Sequence, residues 1–473
     1  MKKIVTMILV LAMVLSLCAC GDNGGSETAG GEKTPKGLQV GYAREKIMPQ
    51  SPVPLAGYTD STKRMSTGFL DYLYATCIAV TEGEQTVLLF TQDLFKSEES
   101  WVDEVREKIT AQTGIPGDHI LICSTHNHSG PDVASSHSSI PDYRKVYTEA
   151  LVKAASAALE DRAAATLYGT KTQTQNLNFP RHYLLSDNSY GGDNFGDFTG
   201  NSITGYANQG DPEMLLVKFD REGDKQDILM MNWQVYACMI GTSDNTNLTA
   251  DFVAPVRQTL EEQTGMLFAY FNGAAGDLKP QSRITSDNLY DTGEAYGQAI
   301  AQCAIDALPN LTRIEGEGIK TSQVELEYAV NHEDEGMLDQ AKEVVQVWNS
   351  TGITAGKNLA EQYGFRSVYH AQQVTYRITR PQTDVMEMNA VYVAGMAFVT
   401  APFEMFSQSG IYIKENSPFD MTMVFSCANE YRGNFATSQA YDYHSYESDI
   451  NYYAKGCAEA AQEKFVQMLK GLQ

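Results

Sequence analysis

Two histidines one residue apart, His126 and His128, stand in the string "LICSTHNHSGPD" at residues 121–132, directly after a run that reads as a buried strand. Imidazoles so placed can bind a metal, pass a proton, or simply belong to a polar loop. The spacing by itself is a weak signal. Three more polar positions, Asp277, Glu404 and Asn434, also fall where strand-like runs end.

The elements that must position these residues follow a repeated grammar. "TVLLFTQ" at 86–92, the amphipathic "EESWVDEVREKITAQTG" and "HILICST" at 119–125 predict strand, helix and strand. A crossover of about a dozen residues makes the two strands parallel neighbours. The His pair then ends the second strand. "DILMMNWQVYACMIG", "DFVAPVRQTLEEQTG" and "MLFAYFNGAAGDLKP" repeat the unit over 227–280. "NAVYVAGMAFVTAPFEMFSQSGIYIKEN" predicts strand, turn, strand and a helix starting near Phe403, followed by a strand and loop in "MTMVFSCANEYRGN" and a last helix in "AAQEKFVQMLKGL". The expected class is α/β, with mixed or parallel sheets flanked by helices. Such sheets bind ligands just outside the carboxyl ends of their strands, where these polar residues fall.

Two known uses of H-x-H fail on residue types. A metallo-β-lactamase needs Asp-His just after the pair, whereas Asp132 is followed by Val133. An amidohydrolase barrel needs further histidines at later strand ends, and His182, His332 and His370 do not fall there.

The string "THNHSGPD" occurs with "GYAREKIMPQSPVPLAGY" (41–58), "NFPRHY" (178–183), "NGAAGDLKP" (272–280), "TAPFE" (400–404) and "NEYRGNFATSQAYDYHSYE" (429–447), in that order. Together they resemble successive motifs of the neutral, non-lysosomal ceramidase family, over essentially all of residues 38–473. The resemblance implies the catalytic α/β domain of that family, without its C-terminal immunoglobulin-like domain. It also implies cleavage of an amide bond in a sphingolipid-like substrate, on a zinc ion held by two histidines, a glutamate and a tyrosine, with a serine close by. A metal with an open position polarises the carbonyl and supplies a nucleophile near neutral pH.

Carried over residue by residue, the resemblance makes His126 and Glu404 metal ligands and His128 a group assisting near the reacting bond. Tyr446 becomes an oxyanion donor, and Arg181 faces the substrate. Three positions depart. Tyr236 of "NWQVY" stands where the second histidine ligand belongs, Asn434 where the ligating tyrosine belongs, and Lys279 of "GDLKP" where the serine belongs. A carboxamide is a poor zinc ligand, and an inward ammonium at Lys279 repels a dication. Tyr236 could ligate as a phenolate. Glu404 could instead cap the helix beside it, and Asp277 reads as shaping its glycine-rich turn. Three readings stay open: an enzyme with an altered centre, a catalytically inactive protein that binds a ligand in the retained cleft, and a site completed by His137, His182 or His444.

The ends and composition set the context. "MKKIVTMILVLAMVLSLCAC" (1–20) has a basic start and a short apolar run, as secretion signals do, and ends in a box resembling that of bacterial lipoproteins. The resemblance implies lipid on Cys20 and a membrane-anchored, cell-surface protein. Residues 21–37 read as a glycine-rich tether, and 38–473 as the folded domain. The 59 acidic against 35 basic residues give a net charge of −24, which disfavours nucleic acid as a partner. Cys77, Cys123, Cys238, Cys303, Cys427 and Cys457 each stand alone and are expected as buried thiols.

Overall fold

In the computed structural model, residues 37–58, 61–192, 200–242 and 244–473 are described. The readings of 1–20 and Cys20 lie outside these residues, as does nearly all of the 21–37 tether. Strands Gln85–Gln92 and Ile120–Ser124 run parallel, with Gln92 opposite Ser124. Helix Glu99–Thr113 supplies the crossover. It forms because Trp101, Val102, Val105 and Ile109 make one apolar stripe, all buried, and Gly114 at φ 74° ends it in the left-handed conformation that glycine adopts without strain. The second unit places Ile228–Trp233 parallel to Leu267–Asn272, joined through helix Val253–Thr264.

These strands belong to a nine-stranded mixed sheet. Its order is Leu267–Asn272, Ile228–Trp233, Glu213–Arg221, Ala163–Gln173, Gln39–Lys46, Tyr74–Glu82, Gln85–Gln92 and Ile120–Ser124, with Thr312–Arg313 attached to Ala163–Gln173. A second sheet runs Ile319–Ala329, Thr383–Val393, Met396–Thr400 and Met421–Phe425, the last two parallel.

Alternating side chains explain why both sheets are apolar on two faces. Leu88 and Phe90 join the helices 99–113 and 140–160 in one core, while Val87 and Leu89 point the other way, toward Val391, Phe398 and Met423 of the second sheet. Stacked rings cross that interface, Phe271 against Phe425 at 4.5 Å between centroids. The far side of the second sheet packs on helix Cys457–Gly471 through Phe465 and Leu469. Lys36–Gln473 is therefore a helix, sheet, sheet, helix sandwich in one compact unit.

Two expectations change. The helix expected from Phe403 begins at Ser407, so Glu404 lies in a two-residue strand, Glu404–Met405, paired with Asn434–Phe435. Of the six cysteines, all unpaired, only Cys77, Cys123 and Cys427 are fully buried, and the others are half-buried. Helices Leu338–Thr351, Ile353–Tyr363 and Val368–Arg377, which the motifs leave unassigned, pack a small core of their own around Val344, Ala360 and Val374.

Candidate active site

The loop after strand Ile120–Ser124 is held by its own asparagine. Asn127 donates to the carbonyls of Asp93 (3.0 Å) and Thr249 (2.7 Å) and accepts from the Ser129 N–H, so its own buried amide is satisfied and ties the loop to both neighbouring segments. His126 takes φ 56°, a left-handed conformation that costs a non-glycine residue energy and is held here by its surroundings. Cys427 and Asn429, after strand Met421–Phe425, take φ 56° and 67°. The two loops meet: the Ser124 N–H donates to the Cys427 carbonyl at 3.1 Å, and the Asn429 N–H to the Ile122 carbonyl at 2.7 Å.

The His126 ring lies between Phe95 and Tyr236, with centroids at 4.1 and 4.2 Å. Its Nε2 is 3.7 Å from Glu404 Oε2, and its Nδ1 is 3.6 Å from Cys427 Sγ. Glu404 is the hub. The Tyr236 hydroxyl donates to its Oε2 and the Tyr431 hydroxyl to its Oε1. The His128 ring is 5.1 Å from that of His126, and both its nitrogens are buried without a hydrogen-bonding partner among the described residues. Arg181 pairs with Glu447 at 3.1 Å, and its guanidinium carbon stands 5.9 Å from the Tyr446 ring centroid. The other Glu447 oxygen meets His182 Nε2 at 2.8 Å.

Burial sets the charge states. It pushes His126 down to about 3, with the Arg181 charge adding to the effect, and pushes His128 well below the usual imidazole range. Both rings are neutral at neutral pH. Burial raises the Glu404 carboxyl above its ordinary value, against the two phenols and Arg181, and raises the Tyr236 and Tyr431 hydroxyls far above theirs. Burial also opposes ionisation of Glu447, yet Arg181 and His182 outweigh it and draw that carboxyl down to about 2.

The structure thus brings together His126, His128, Tyr236, Glu404, Arg181 and Tyr446. Lys279 lies half-buried on the two-residue strand Leu278–Lys279, antiparallel to Phe179–Pro180, which leads directly into Arg181, and the Arg181 charge bears on His126 and Glu404. Glu404 is not a helix cap. That task falls to Asp277, which accepts from the Ser407 N–H at 2.7 Å and the Ser407 hydroxyl at 2.8 Å. None of the alternative histidines is built into the His126–Glu404 cluster: His182 is paired with Glu447, His137 bonds Ser139, and His444 is exposed. Tyr431, Glu447, Phe95 and Cys427 were not anticipated. Tyr431 sits three residues before Asn434 in "NEYRGN", and Glu447 directly follows Tyr446, so a reading by proximity within those strings could have found both.

These residues do not fit the zinc set that the family resemblance implies. Both Glu404 oxygens accept phenol protons, and the Arg181 charge bears on the carboxylate. Cys427 and Glu404 approach opposite nitrogens of His126, so they cannot converge on one ion with that ring. Among the described residues no group of three or more His, Cys, Asp or Glu side chains is arranged to hold a metal.

Doubly covered sheets, with polar side chains gathered where strands end, define an α/β sandwich, and its fold is that of the neutral ceramidases. The crystal structure of neutral ceramidase from Pseudomonas aeruginosa matches with a TM-score of 0.69 at 17% identity, over 93% of this chain and 75% of that one. A ceramidase complexed with C2 matches with a TM-score of 0.69 at 15% identity, over the same shares. No protein-family model and no curated protein matches the sequence.

Proposed function

We propose that this protein is a ceramidase-like hydrolase that cleaves the amide bond of an N-acyl, lipid-like substrate with an altered centre. The observation that carries the reading is the meeting of the His126–His128 pair with four residues distant along the chain, Arg181, Tyr236, Glu404 and Tyr446, at one rim of a ceramidase-type sandwich. His128 is the acid–base group. Its ring is neutral, and among the described residues neither nitrogen is committed to a side-chain hydrogen bond. It takes a proton from water as the oxygen attacks the acyl carbon, and returns it to the amine as the carbon–nitrogen bond breaks. Arg181 and Tyr446 donate to the carbonyl oxygen as negative charge develops there. No step runs through zinc, because the donors present do not suit it.

A second reading, ligand binding without turnover, is favoured by the two phenols that already occupy the Glu404 carboxylate. Short-chain ceramide and N-acyl amino acids, offered with chelator or with added zinc, separate the two. Turnover that survives chelation and falls about 100-fold in His128→Ala supports hydrolysis. Binding of the same compounds with no turnover under either condition replaces it with the second reading.

We also propose that Cys20 carries the lipid that anchors the protein at the bacterial cell surface, from its place at the end of "LCAC" and before a polar tether. Labelled palmitate should enter the wild-type protein. Equal labelling of Cys20→Ser would refute the assignment.

A further inference from the structure

The loop 67–72, "TGFLDY", carries three large apolar side chains that the fold leaves uncovered: Phe69 is 53% exposed, Leu70 58% and Tyr72 42%. They are neighbours, since the Phe69 and Tyr72 rings stack at 5.3 Å and Leu70 lies between them in sequence. The loop's one acid is turned inward. Asp71 accepts from the Thr249 hydroxyl and from the Ala250 N–H, so no carboxylate of this loop joins the apolar face. A cation flanks the face instead, with the exposed Lys46 ammonium 3.4 Å from the Tyr72 ring centroid.

The loop is fixed to the wall of the candidate site. Strand Gly68–Phe69 pairs with Asn247–Leu248, and the Leu70 N–H donates to the Leu248 carbonyl. The next residue, Thr249, donates its N–H to the Ser129 carbonyl and accepts from Asn127, on either side of His128. The apolar tip and the His pair are therefore parts of one hydrogen-bonded rim.

We propose that Phe69, Leu70 and Tyr72 form a wedge that enters the surface layer of a lipid aggregate, with Lys46 at the headgroup level. The composition fits an interface. Aromatic rings and a leucine favour the boundary between hydrocarbon and water, and a lysine beside them reaches lipid phosphates. The size fits too. Three such side chains expose roughly 300 Å² between them, well short of the roughly 800 Å² per partner of a stable protein interface. A lipid surface needs no such area and no matching shape. The inference goes beyond the proposed reaction, because it assigns a surface for reaching the lipid phase and stands whether or not the centre turns over.

Tyr72→Trp in a Trp348→Phe background places a reporter in the full-length chain, where the remaining Trp101 and Trp233 are buried and the half-buried Trp348 no longer contributes. Vesicles of phosphatidylethanolamine and phosphatidylglycerol doped with brominated phosphatidylcholine should shift its emission to the blue and quench it. Adding Phe69→Ser and Leu70→Ser should cut the quenching about threefold or more, while turnover of a water-soluble short-chain substrate stays unchanged. Unaltered emission at saturating vesicles, or equal quenching with the two serines present, overturns the wedge. A concentration-dependent shift without lipid, with none added by vesicles, overturns it in favour of a second copy of the chain. Loss of soluble-substrate turnover in the parent protein would count against the proposed reaction alone.

Discussion

Tyr236 holds the buried Glu404 carboxylate. Its hydroxyl donates a hydrogen bond to Oε2 and that of Tyr431 to Oε1, so the carboxylate is satisfied by two phenols. Tyr236→Phe keeps the ring packed on His126 but leaves a buried carboxylate oxygen without its donor. It should lower stability by about 1–3 kcal/mol, read from the denaturant midpoint. Combining Tyr236→His with Asn434→Tyr restores the ligand types that the resemblance implies. That variant should retain zinc after dialysis, measured by elemental analysis, whereas the parent should hold far less than one ion per chain. Full zinc occupancy in the parent would refute the donor argument.

Among the elements, the loop after Met421–Phe425 bears the most on the site, because it covers the edge of the large sheet and carries Tyr431. Asn429 fastens it. Its Oδ1 accepts from the Ile122 N–H at 2.9 Å, its Nδ2 donates to Glu387 Oε1 at 2.9 Å, and its backbone sits at φ 67°. Asn429→Ala loses these bonds and adds the cost of a left-handed alanine, about 1–2 kcal/mol. Asn429→Gly loses the bonds alone. Alanine should therefore destabilise more than glycine, and in both variants the amides of Ile122 and Ser124 should exchange faster with deuterium. The element-level grammar was legible early: both parallel pairs and the last helix follow from apolar runs and their spacing. The helix start was not, because "APFEMFSQSG" reads equally well as helix from Phe403 or Ser407, and only the cap that Asp277 gives to Ser407 settles it.

For the whole molecule, buried acids make stability depend on pH in opposite senses. Glu447, drawn down to about 2 despite burial, contributes stability above its unfolded value near 4.5 that is lost as pH falls toward 2. Asp71 and Glu430, raised by burial to about 6 and about 7, contribute in the reverse sense: stability is greatest below their unfolded values and is lost as pH rises through 6 to 7. His126 and His128, both lowered by burial, act with Glu447: their stabilisation is present above the unfolded imidazole value near 6.5 and is lost as pH falls, so the melting temperature should drop in acid. Glu430→Gln removes a contribution that weakens as pH rises, so between about pH 5 and pH 7 the melting temperature of the variant should climb relative to that of the parent, and a constant difference would show that Glu430 is not the group responsible.

The sequence alone determined the alternation of strands and helices, the placing of His126 at a strand end, and the three changed positions, because periodicity and local motifs are properties of neighbours along the chain. Tertiary structure decided which groups share a charge or a proton. The Tyr431 hydroxyl reaches Glu404, the Arg181 charge bears on His126, and Glu447 joins Arg181 to His182. Those outcomes depend on segments between 27 residues (Tyr431 and Glu404) and 265 residues (His182 and Glu447) apart meeting at one rim, and on burial there, which weights charges and hydrogen bonds in a way that no local pattern records.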